Sequence, residues 1–372
     1  MLFNFNDLVK IDIVNPPSAY REYVENELHF IEPSSHLVGE QDVIFTFRDD
    51  LQMHPEKAQK VIPPVGYDKE GVFWFDPNNE IARVNFNDFQ KGTTSINVST
   101  GFNTHFLYIL VLYSLSFKAL LHGGTFFHAS AVNYKGQSLL FPAWRHVGKT
   151  NLMLALLQDG AELIADDGVI LFNTGEFMPF SRRMNLLYFN FLSFPELLDK
   201  ASPKMKELKS FMDTARNGEF GLSEKSKNLF QKLIREKIPN NAISGADHYP
   251  KKYKVDQVIH LNKKITSENK APSLQEIDRV SLVNKSTETT LFELSHFITA
   301  YQISALTQNH QPEDFLDNAS SNVRNVFNEG LKHAKGLFDL SFSNVMPINE
   351  VKSIINDKLE KQESSSHHTG QK

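Results

Sequence analysis

The sequence contains no cysteine, and this absence excludes several kinds of chemistry. Without a thiol in its 372 residues, the chain has no disulfide, no cysteine nucleophile and no cysteine metal ligand. A protein without disulfides suits a reducing compartment, and we therefore expect a cytoplasmic protein.

The sequence also lacks an excess of positive charge and a long hydrophobic run. Its 39 basic and 44 acidic residues give a net charge of −5, which argues against a general nucleic-acid binder. The most apolar run, Phe106 to Phe117, is short for a membrane span and is bounded by His105 and Lys118. The amino-terminal residues lack the pattern of a signal peptide. We therefore predict a buried helix at this run, and neither a nucleic acid nor a membrane as a partner.

The remaining composition is that of a globular protein long enough for two domains. Hydrophobic residues make up 41% and charged residues 22%, and the 30 phenylalanines are expected to pack in the core. We predict a β-rich amino-terminal module over residues 1–100, a core over 101–345 with a helical insertion at about 195–237, and a short helix with a disordered tail over 346–372. Short apolar runs separated by turns predict the strands of the module: Val43–Phe47, Gly71–Phe75, Ile81–Phe86 and Ser95–Val98.

One motif points to chemistry, the phosphate-loop pattern G-x-x-x-x-G-K-[ST]. Here Ala143 replaces the first glycine of this pattern, and Gly148, Lys149 and Thr150 match its end. An apolar strand, Ser138–Phe141, enters the loop, and a helix, Lys149–Asp159, leaves it. Backbone N–H groups of such a loop and the open end of the helix bind phosphate. The predicted nucleotide site comprises Ala143, Trp144, Arg145, His146, Val147, Gly148, Lys149 and Thr150.

A pair of carboxylates follows the helix. The strand Glu162–Ala165 ends at Asp166 and Asp167, and ligands gather at this end of strands in α/β sheets. One carboxylate is expected to hold a metal ion or its water, and the other to take a proton from a hydroxyl nucleophile. Two neighbouring like charges raise one of the two pKa values.

These residues together resemble the HPr kinase/phosphorylase family, whose fold is similar to that of phosphoenolpyruvate carboxykinase. His128 lies 22 positions before Thr150, and Asp167 lies 17 positions after it, as in that family. The resemblance implies an α/β (α+β) fold with a phosphoenolpyruvate carboxykinase-like P-loop kinase core. It also implies ATP and Mg²⁺ as cofactors and a homo-oligomer. The catalytic residues it implies are Lys149 on the phosphates, Asp167 as base and His128 as their partner, with Thr150 and Asp166 at the metal.

Several side chains leave two interpretations open. Arg145 either adds charge over the phosphates or faces solvent, and Trp144 either stacks on a base or packs. Arg182 or Arg183 is a weaker candidate for the active site, against ordinary surface charge. His260 is interpreted as structural.

The leading hypothesis is therefore a serine kinase that uses Mg·ATP, with a protein or peptide serine as acceptor; a small hydroxylated metabolite is an allowed acceptor too. The alternative is a non-catalytic nucleotide-binding or partner-binding module built on a degenerate kinase fold. A nucleotide hydrolase without an acceptor is a third hypothesis.

Overall fold

A computed structural model describes the chain apart from residues 29–31, 35–39, 54–57, 88, 90–91, 181–182, 217–234, 245–250, 266–269, 309–317, 344–345 and 370–372. It is a mixed α/β protein. The strands are β1 Leu2–Phe5, β2 Val9–Val14, β3 Glu32–Ser34, β4 Val43–Arg48, β5 Gln59–Ile62, β6 Val65–Asp68, β7 Gly71–Phe75, β8 Ile81–Val84, β9 Thr94–Ser99, β10 Gly124–Phe127, β11 Ala129–Tyr134, β12 Gln137–Pro142, β13 Glu162–Ala165, β14 Val169–Phe172, β15 Glu176–Pro179, β16 Met184–Leu187, β17 Arg235–Ile238, β18 Tyr253–Lys254, β19 Gln257–Lys264, β20 Ser273–Glu276 and β21 Gly336–Ser343. The helices are α1 Ser18–Glu27, α2 Thr104–Leu121, α3 Lys149–Gln158, α4 Tyr188–Ser193, α5 Pro203–Arg216, α6 Asn240–Ser244, α7 Arg279–Glu293, α8 Ser295–Gln308, α9 Ala319–Leu331 and α10 Ile348–Thr369, with a 3₁₀ helix at Pro195–Lys200.

The amino-terminal third forms a nine-stranded sheet in the order β3-β1-β2-β4-β9-β8-β7-β6-β5. In β2 and β4 buried and partly exposed residues alternate, because successive side chains point to opposite faces of a sheet. The four strands predicted here are confirmed, with β8 ending two residues early at Val84. The β-rich character of this region therefore follows from its sequence pattern.

Helix α2 packs inside the protein beside this sheet. Asn103 begins it by accepting a hydrogen bond from the backbone N–H of His105. Its composition and 18-residue length would suit a membrane span, but 67% of that window is buried. Its side chains belong to the same hydrophobic cluster as the sheet, so the predicted buried helix is confirmed.

A six-stranded sheet in the order β13-β11-β12-β19-β21-β20 forms the second layer. Strand β11 runs antiparallel to both β12 and β13, so those two strands end at the same edge of the sheet. Strands β12, β19 and β21 are parallel. Helices α3 and α10 pack on one face, and α7 and α9 on the other. This topology brings the phosphate loop, which follows β12, beside Asp166 and Asp167, which follow β13.

The apolar pattern around His128 predicts that this residue lies within a strand, and the structure shows that this prediction is wrong. It separates β10 from β11, and these two strands belong to different sheets. The chain passes at this residue from the four-stranded sheet β10-β14-β15-β18 into the six-stranded sheet. His128 is therefore fixed at the junction of two sheets.

The carboxyl-terminal part differs from prediction in two places. The sequence pattern predicts one helix over about 288–307, but the structure has two, α7 and α8. Helix α7 starts earlier, at Arg279, because the Asp278 side chain caps it by accepting a hydrogen bond of 2.9 Å from the Ser281 N–H. The short helix and disordered tail predicted for 346–372 are instead one 22-residue helix, α10, up to Thr369. Buried Leu359 and a hydrogen bond of 2.8 Å from Gln257 to Gln362 attach its second half to the core.

The predicted helical insertion at 195–237 is helical in its first part, whereas its last residues, 235–237, belong to a strand. The 3₁₀ helix and α5 cover residues 195–216, and β17 pairs with β16. Residues 217–234 lie outside the described part of the chain. The boundary predicted near residue 100 and the phosphoenolpyruvate carboxykinase-like core stay predictions.

Candidate active site

The phosphate-loop motif forms a loop between β12 and α3. Gly148 has φ +116° and His146 has φ +60°, so both adopt the left-handed region that favours glycine. The chain makes a hydrogen-bonded turn at Arg145 and His146, and among the described residues the backbone N–H groups of His146 and Gly148 have no backbone acceptor. Unpaired N–H groups at the start of a helix form an anion site.

Lys149 lies under this loop and is almost completely buried. Its Nζ atom is 2.7 Å from Nε2 of His128, 3.3 Å from the carbonyl oxygen of Ala143 and 3.7 Å from Oδ1 of Asp167. Oδ1 of Asp167 is also 3.6 Å from Nε2 of His128. The three residues that the resemblance assigns to catalysis therefore meet in one cluster.

Burial controls the charges in this cluster. It lowers the pKa of His128 to about 4, against the opposing effect of the Asp167 carboxylate. The Nε2 atom of a neutral imidazole can accept a hydrogen bond, so the Lys149 ammonium is the donor in the 2.7 Å contact. Burial also lowers the pKa of Lys149, while Asp167 and Asp166 act to raise it. Asp167 is the exposed member, with 34% of its side chain accessible.

Asp166 forms a second, fully buried group. Its Oδ1 accepts hydrogen bonds from Ser130 Oγ at 2.9 Å and from Thr150 Oγ1 at 3.1 Å. Burial and then the charge of Asp167 raise the pKa of Asp166 to about 6, although these hydrogen bonds lower it. Asp166 therefore carries a negative charge at neutral pH that the protein stabilises poorly on its own.

The donors around Asp166 suit a hard cation. Within the described residues, no three His, Cys, Asp or Glu side chains gather into a closed metal site. Mg²⁺ needs only one or two carboxylates when water and phosphate oxygens complete its shell. The Asp166 carboxylate and the Thr150 hydroxyl, 3.1 Å apart beside the start of α3, provide such a partial set.

The first half of the loop is tied to the end of α7. Arg145 makes a double hydrogen bond with Glu293, with Nε donating to Oε1 at 2.8 Å and a second N–H donating to Oε2. The ring of Trp144 lies 4.8 Å from that of Phe292. Of the two interpretations for Trp144, packing is observed, although 45% of the residue stays accessible. Of the two interpretations for Arg145, the solvent-facing one is observed, since 57% of its side chain is accessible while its guanidinium is paired with the Glu293 carboxylate.

Arg183, a weaker candidate for the active site, is paired with a residue of α1. It donates to Oε1 of the buried Glu27 at 2.7 Å, and Lys237 donates to the same atom at 2.6 Å. The guanidinium is therefore committed to an ion pair with α1. Arg182 lies outside the described residues.

Two residues of the site were missed from the sequence. Ser130 holds Asp166, and its place two residues after His128, at the start of the next strand, was a signal that could have found it. Glu293 lies 148 residues from Arg145, and no local pattern marks that pairing.

Comparisons with known proteins add little to this geometry. No family model matches the chain, and no curated protein matches it. A solved structure, the HPr(Ser) kinase/phosphatase from Coxiella burnetii, is similar at 13% identity, covering 67% of this chain and 99% of the other. The TM-score is 0.30, so we base no conclusion about fold or function on this likeness.

Proposed function

We propose that this protein is an ATP-dependent phosphotransferase that moves the γ-phosphoryl group of Mg·ATP to a hydroxyl. The arrangement of Lys149, His128 and Asp167 under the loop is the observation that supports it best. In this arrangement Lys149 supplies a positive charge that can bind phosphate, and Asp167 supplies an accessible carboxylate that can accept the proton of a hydroxyl group. The family resemblance favours a protein or peptide serine as acceptor, and a small hydroxylated metabolite is the other candidate.

Each residue has a defined task in this proposal. The loop N–H groups and Lys149 bind and orient the phosphates, while Asp166 and Thr150 would hold Mg²⁺, which neutralises phosphate charge when bound. Asp167 accepts the proton of the acceptor hydroxyl at Oδ1. Neutral His128 keeps Lys149 in place through the contact at Nε2.

One observation favours a second function, a non-catalytic nucleotide- or partner-binding module. Both cations of the loop are already engaged, Lys149 with His128 and Arg145 with Glu293. A site that binds ATP productively has to release Lys149 toward the phosphates. A site that only binds a partner has no such requirement.

The test is Mg·ATP binding by calorimetry, together with detection of a phosphorylated product. We compare the wild type with Lys149→Met, which keeps the aliphatic stem, and with Asp167→Asn. We expect Lys149→Met to weaken binding by about tenfold or more, because a charge-assisted hydrogen bond to phosphate is lost. Asp167→Asn should keep binding and lose transfer, because only the base is removed.

Tryptophan fluorescence gives an independent reading of the same binding. The chain has two tryptophans; Trp74 is buried and Trp144 is in the loop. A nucleotide-dependent change that disappears in Trp144→Phe places the ligand at the loop. Binding without any transfer in the wild type would favour the second function, and absence of binding would overturn both nucleotide functions.

A further inference from the structure

A small cavity is lined by two histidines, His128 from the cluster with Lys149 and His260 from β19. Pro142 and Ala143 at the end of β12 and one face of α7 also bound it, and it has room for about one water molecule. A buried water molecule is held where two or more polar groups face it. What the cavity holds therefore depends on the ring nitrogens of the two histidines.

The tautomer of His128 follows from its contact with Lys149. The Lys149 ammonium donates to Nε2 of the imidazole at 2.7 Å, and burial lowers the pKa of His128 to about 4, so the ring is neutral at neutral pH. A neutral imidazole that accepts at Nε2 carries its proton on Nδ1. Among the described residues, this Nδ1–H group meets no hydrogen-bond acceptor. An unpaired buried donor is costly, so an acceptor is needed on the Nδ1 side of the ring.

His260 is fixed in the complementary way by Asp339. Its Nδ1 lies 2.8 Å from Oδ1 of this carboxylate. Burial raises the pKa of Asp339, but hydrogen bonds from His260, Asn262 and Lys285 outweigh burial and hold the pKa well below its usual range. Asp339 is therefore an anion and accepts from the Nδ1–H group of His260. The Nε2 atom of the neutral His260 ring is then an acceptor.

We propose that one water molecule in this cavity accepts a hydrogen bond from Nδ1–H of His128 and donates one to Nε2 of His260, which makes His260 a positioning residue for Lys149. The chain of hydrogen bonds runs from Lys149 through His128, the water and His260 to Asp339. Each donor in it meets one acceptor, so Asp339 determines the tautomer of His128 without touching it. A water molecule also fits the size of the cavity.

The tautomer of His128 controls two neighbours in the site. With the proton on Nδ1, Nε2 accepts from Lys149, while Oδ1 of Asp167 lies 3.6 Å from the same Nε2 atom. With the proton on Nε2, the imidazole would donate to Asp167 and could no longer accept from Lys149. The chain therefore keeps Lys149 in place and keeps His128 from donating to the proposed base. This consequence for catalysis rests on the proposed phosphotransferase function, whereas the tautomer itself does not.

The experiment is NMR of the protein isotopically labelled at its histidine ring nitrogens, whose chemical shifts distinguish a protonated from an unprotonated nitrogen. His128→Gln identifies the His128 signals. The test variant is His260→Phe, which keeps a planar ring and removes both nitrogens. Asn262→Ala is the control, because Asn262 also donates to Asp339, at 3.1 Å, and does not line the cavity. Circular dichroism checks that each variant is folded.

In the wild type we expect His128 to be protonated at Nδ1 and this proton to show cross-relaxation with a bound water molecule. In His260→Phe the water loses its acceptor, so the fraction of His128 protonated at Nε2 should rise several-fold. Asn262→Ala should keep the wild-type tautomer. Protonation at Nε2 in the wild type, no contact with water, an unchanged tautomer in His260→Phe, or an equal change in Asn262→Ala overturns the proposal.

Phosphoryl transfer and Mg·ATP binding are measured on the same variants. His260→Phe should lower transfer by about tenfold, because Lys149 and Asp167 lose their arrangement, and Asn262→Ala should not. Unchanged transfer in His260→Phe would overturn its role as a positioning residue. If His128 responds as expected but the wild type neither binds Mg·ATP nor transfers phosphate, the hydrogen-bond chain stands and the phosphotransferase function falls. If the wild type transfers phosphate and His128 does not respond, the chain falls and the function stands.

Discussion

At the scale of single residues, His146 occupies a backbone conformation that glycine adopts with less strain. Its φ of +60° is left-handed, and its side chain is exposed, so little packing is lost on replacement. The left-handed conformation costs a non-glycine residue about 1 kcal/mol. We expect His146→Gly to stabilise the protein by up to about 1 kcal/mol in urea unfolding.

Ala143→Gly is the matched control for this change. Ala143 is buried and has no left-handed backbone, so glycine brings only a wider unfolded ensemble and a lost methyl contact. It should destabilise the protein by about 0.5 to 1 kcal/mol. Equal effects of the two substitutions would show that the loop is not strained at His146.

Two buried groups, His128 and Asp166, are expected to make the stability of the protein depend on pH in opposite directions. The pKa of His128 is lowered to about 4 in the folded state, so the unfolded state binds more protons and stability rises with pH from about 4 to 6.5. The pKa of Asp166 is raised to about 6, so the folded state binds more protons and stability falls with pH from about 3.8 to 6. In the wild type these contributions oppose each other between about pH 4 and 6.

Single substitutions separate these contributions. In Asp166→Asn only the His128 contribution remains, so the free energy of unfolding should rise with pH across this window. In His128→Gln only the Asp166 contribution remains, so it should fall with pH more steeply than in the wild type. Each change in slope integrates to about 2 to 3 kcal/mol between pH 4 and 6.5. Urea unfolding at several pH values measures it. Parallel pH profiles in the two variants would contradict the assigned directions.

At the scale of elements, the phosphate loop depends on a helix that lies far away in the sequence. The Arg145–Glu293 pair is doubly hydrogen-bonded, with Glu293 nearly buried and Arg145 largely accessible. A solvent-accessible ion pair contributes little to the free energy of unfolding, and one with two well-placed hydrogen bonds lies near the upper end of the usual range. We therefore expect a coupling energy of about 1 kcal/mol between Arg145 and Glu293. A double-mutant cycle with Arg145→Ala and Glu293→Ala measures the coupling, which should decrease in high salt. A coupling of zero would mean that the pair does not hold the loop.

The elements around the phosphate loop could be predicted from the sequence, whereas the contacts between distant elements could not. The hydrophobic periods and the motif spacing determine β12, the loop, α3 and β13 locally, and all four were predicted within one or two residues. Contacts such as His260 with Asp339, 79 positions apart, depend on how strands and helices pack, and no local period encodes them. His260 was interpreted as structural, and its hydrogen bond with Asp339 fits that interpretation.

At the scale of the whole molecule, one hydrophobic cluster joins the amino-terminal sheet to the carboxyl-terminal helices. It extends from Phe3 to Ala319. Its centre includes Phe297 of α8, which is fully buried and lies within 5.0–5.9 Å, ring to ring, of five aromatic residues: Trp74, Phe86, Phe89, Tyr113 and Phe117. We expect Phe297→Ala to destabilise the protein by about 3 to 5 kcal/mol. Phe189→Ala, at a largely accessible phenylalanine, should cost under about 1 kcal/mol in the same unfolding experiment.

The shared cluster also bears on the boundary predicted near residue 100. If residues 1–100 were an independent domain, Trp74 in its sheet and Trp144 in the phosphate loop would report separate unfolding transitions. Because α2 and α8 bury their aromatic rings against that sheet, we expect one transition instead. Trp144→Phe leaves Trp74 as the reporter, and Trp74→Phe leaves Trp144.

The measurement is urea unfolding of these two variants followed by fluorescence, with circular dichroism recorded on the same samples. Within each variant, the fluorescence and circular dichroism midpoints should coincide, because both signals follow one cooperative unit. Adding Phe297→Ala should lower both midpoints together, since its ring belongs to the shared cluster. A shift of the Trp74 transition alone would instead make the amino-terminal sheet a separate folding unit, with the phosphate loop and its neighbours stable without it.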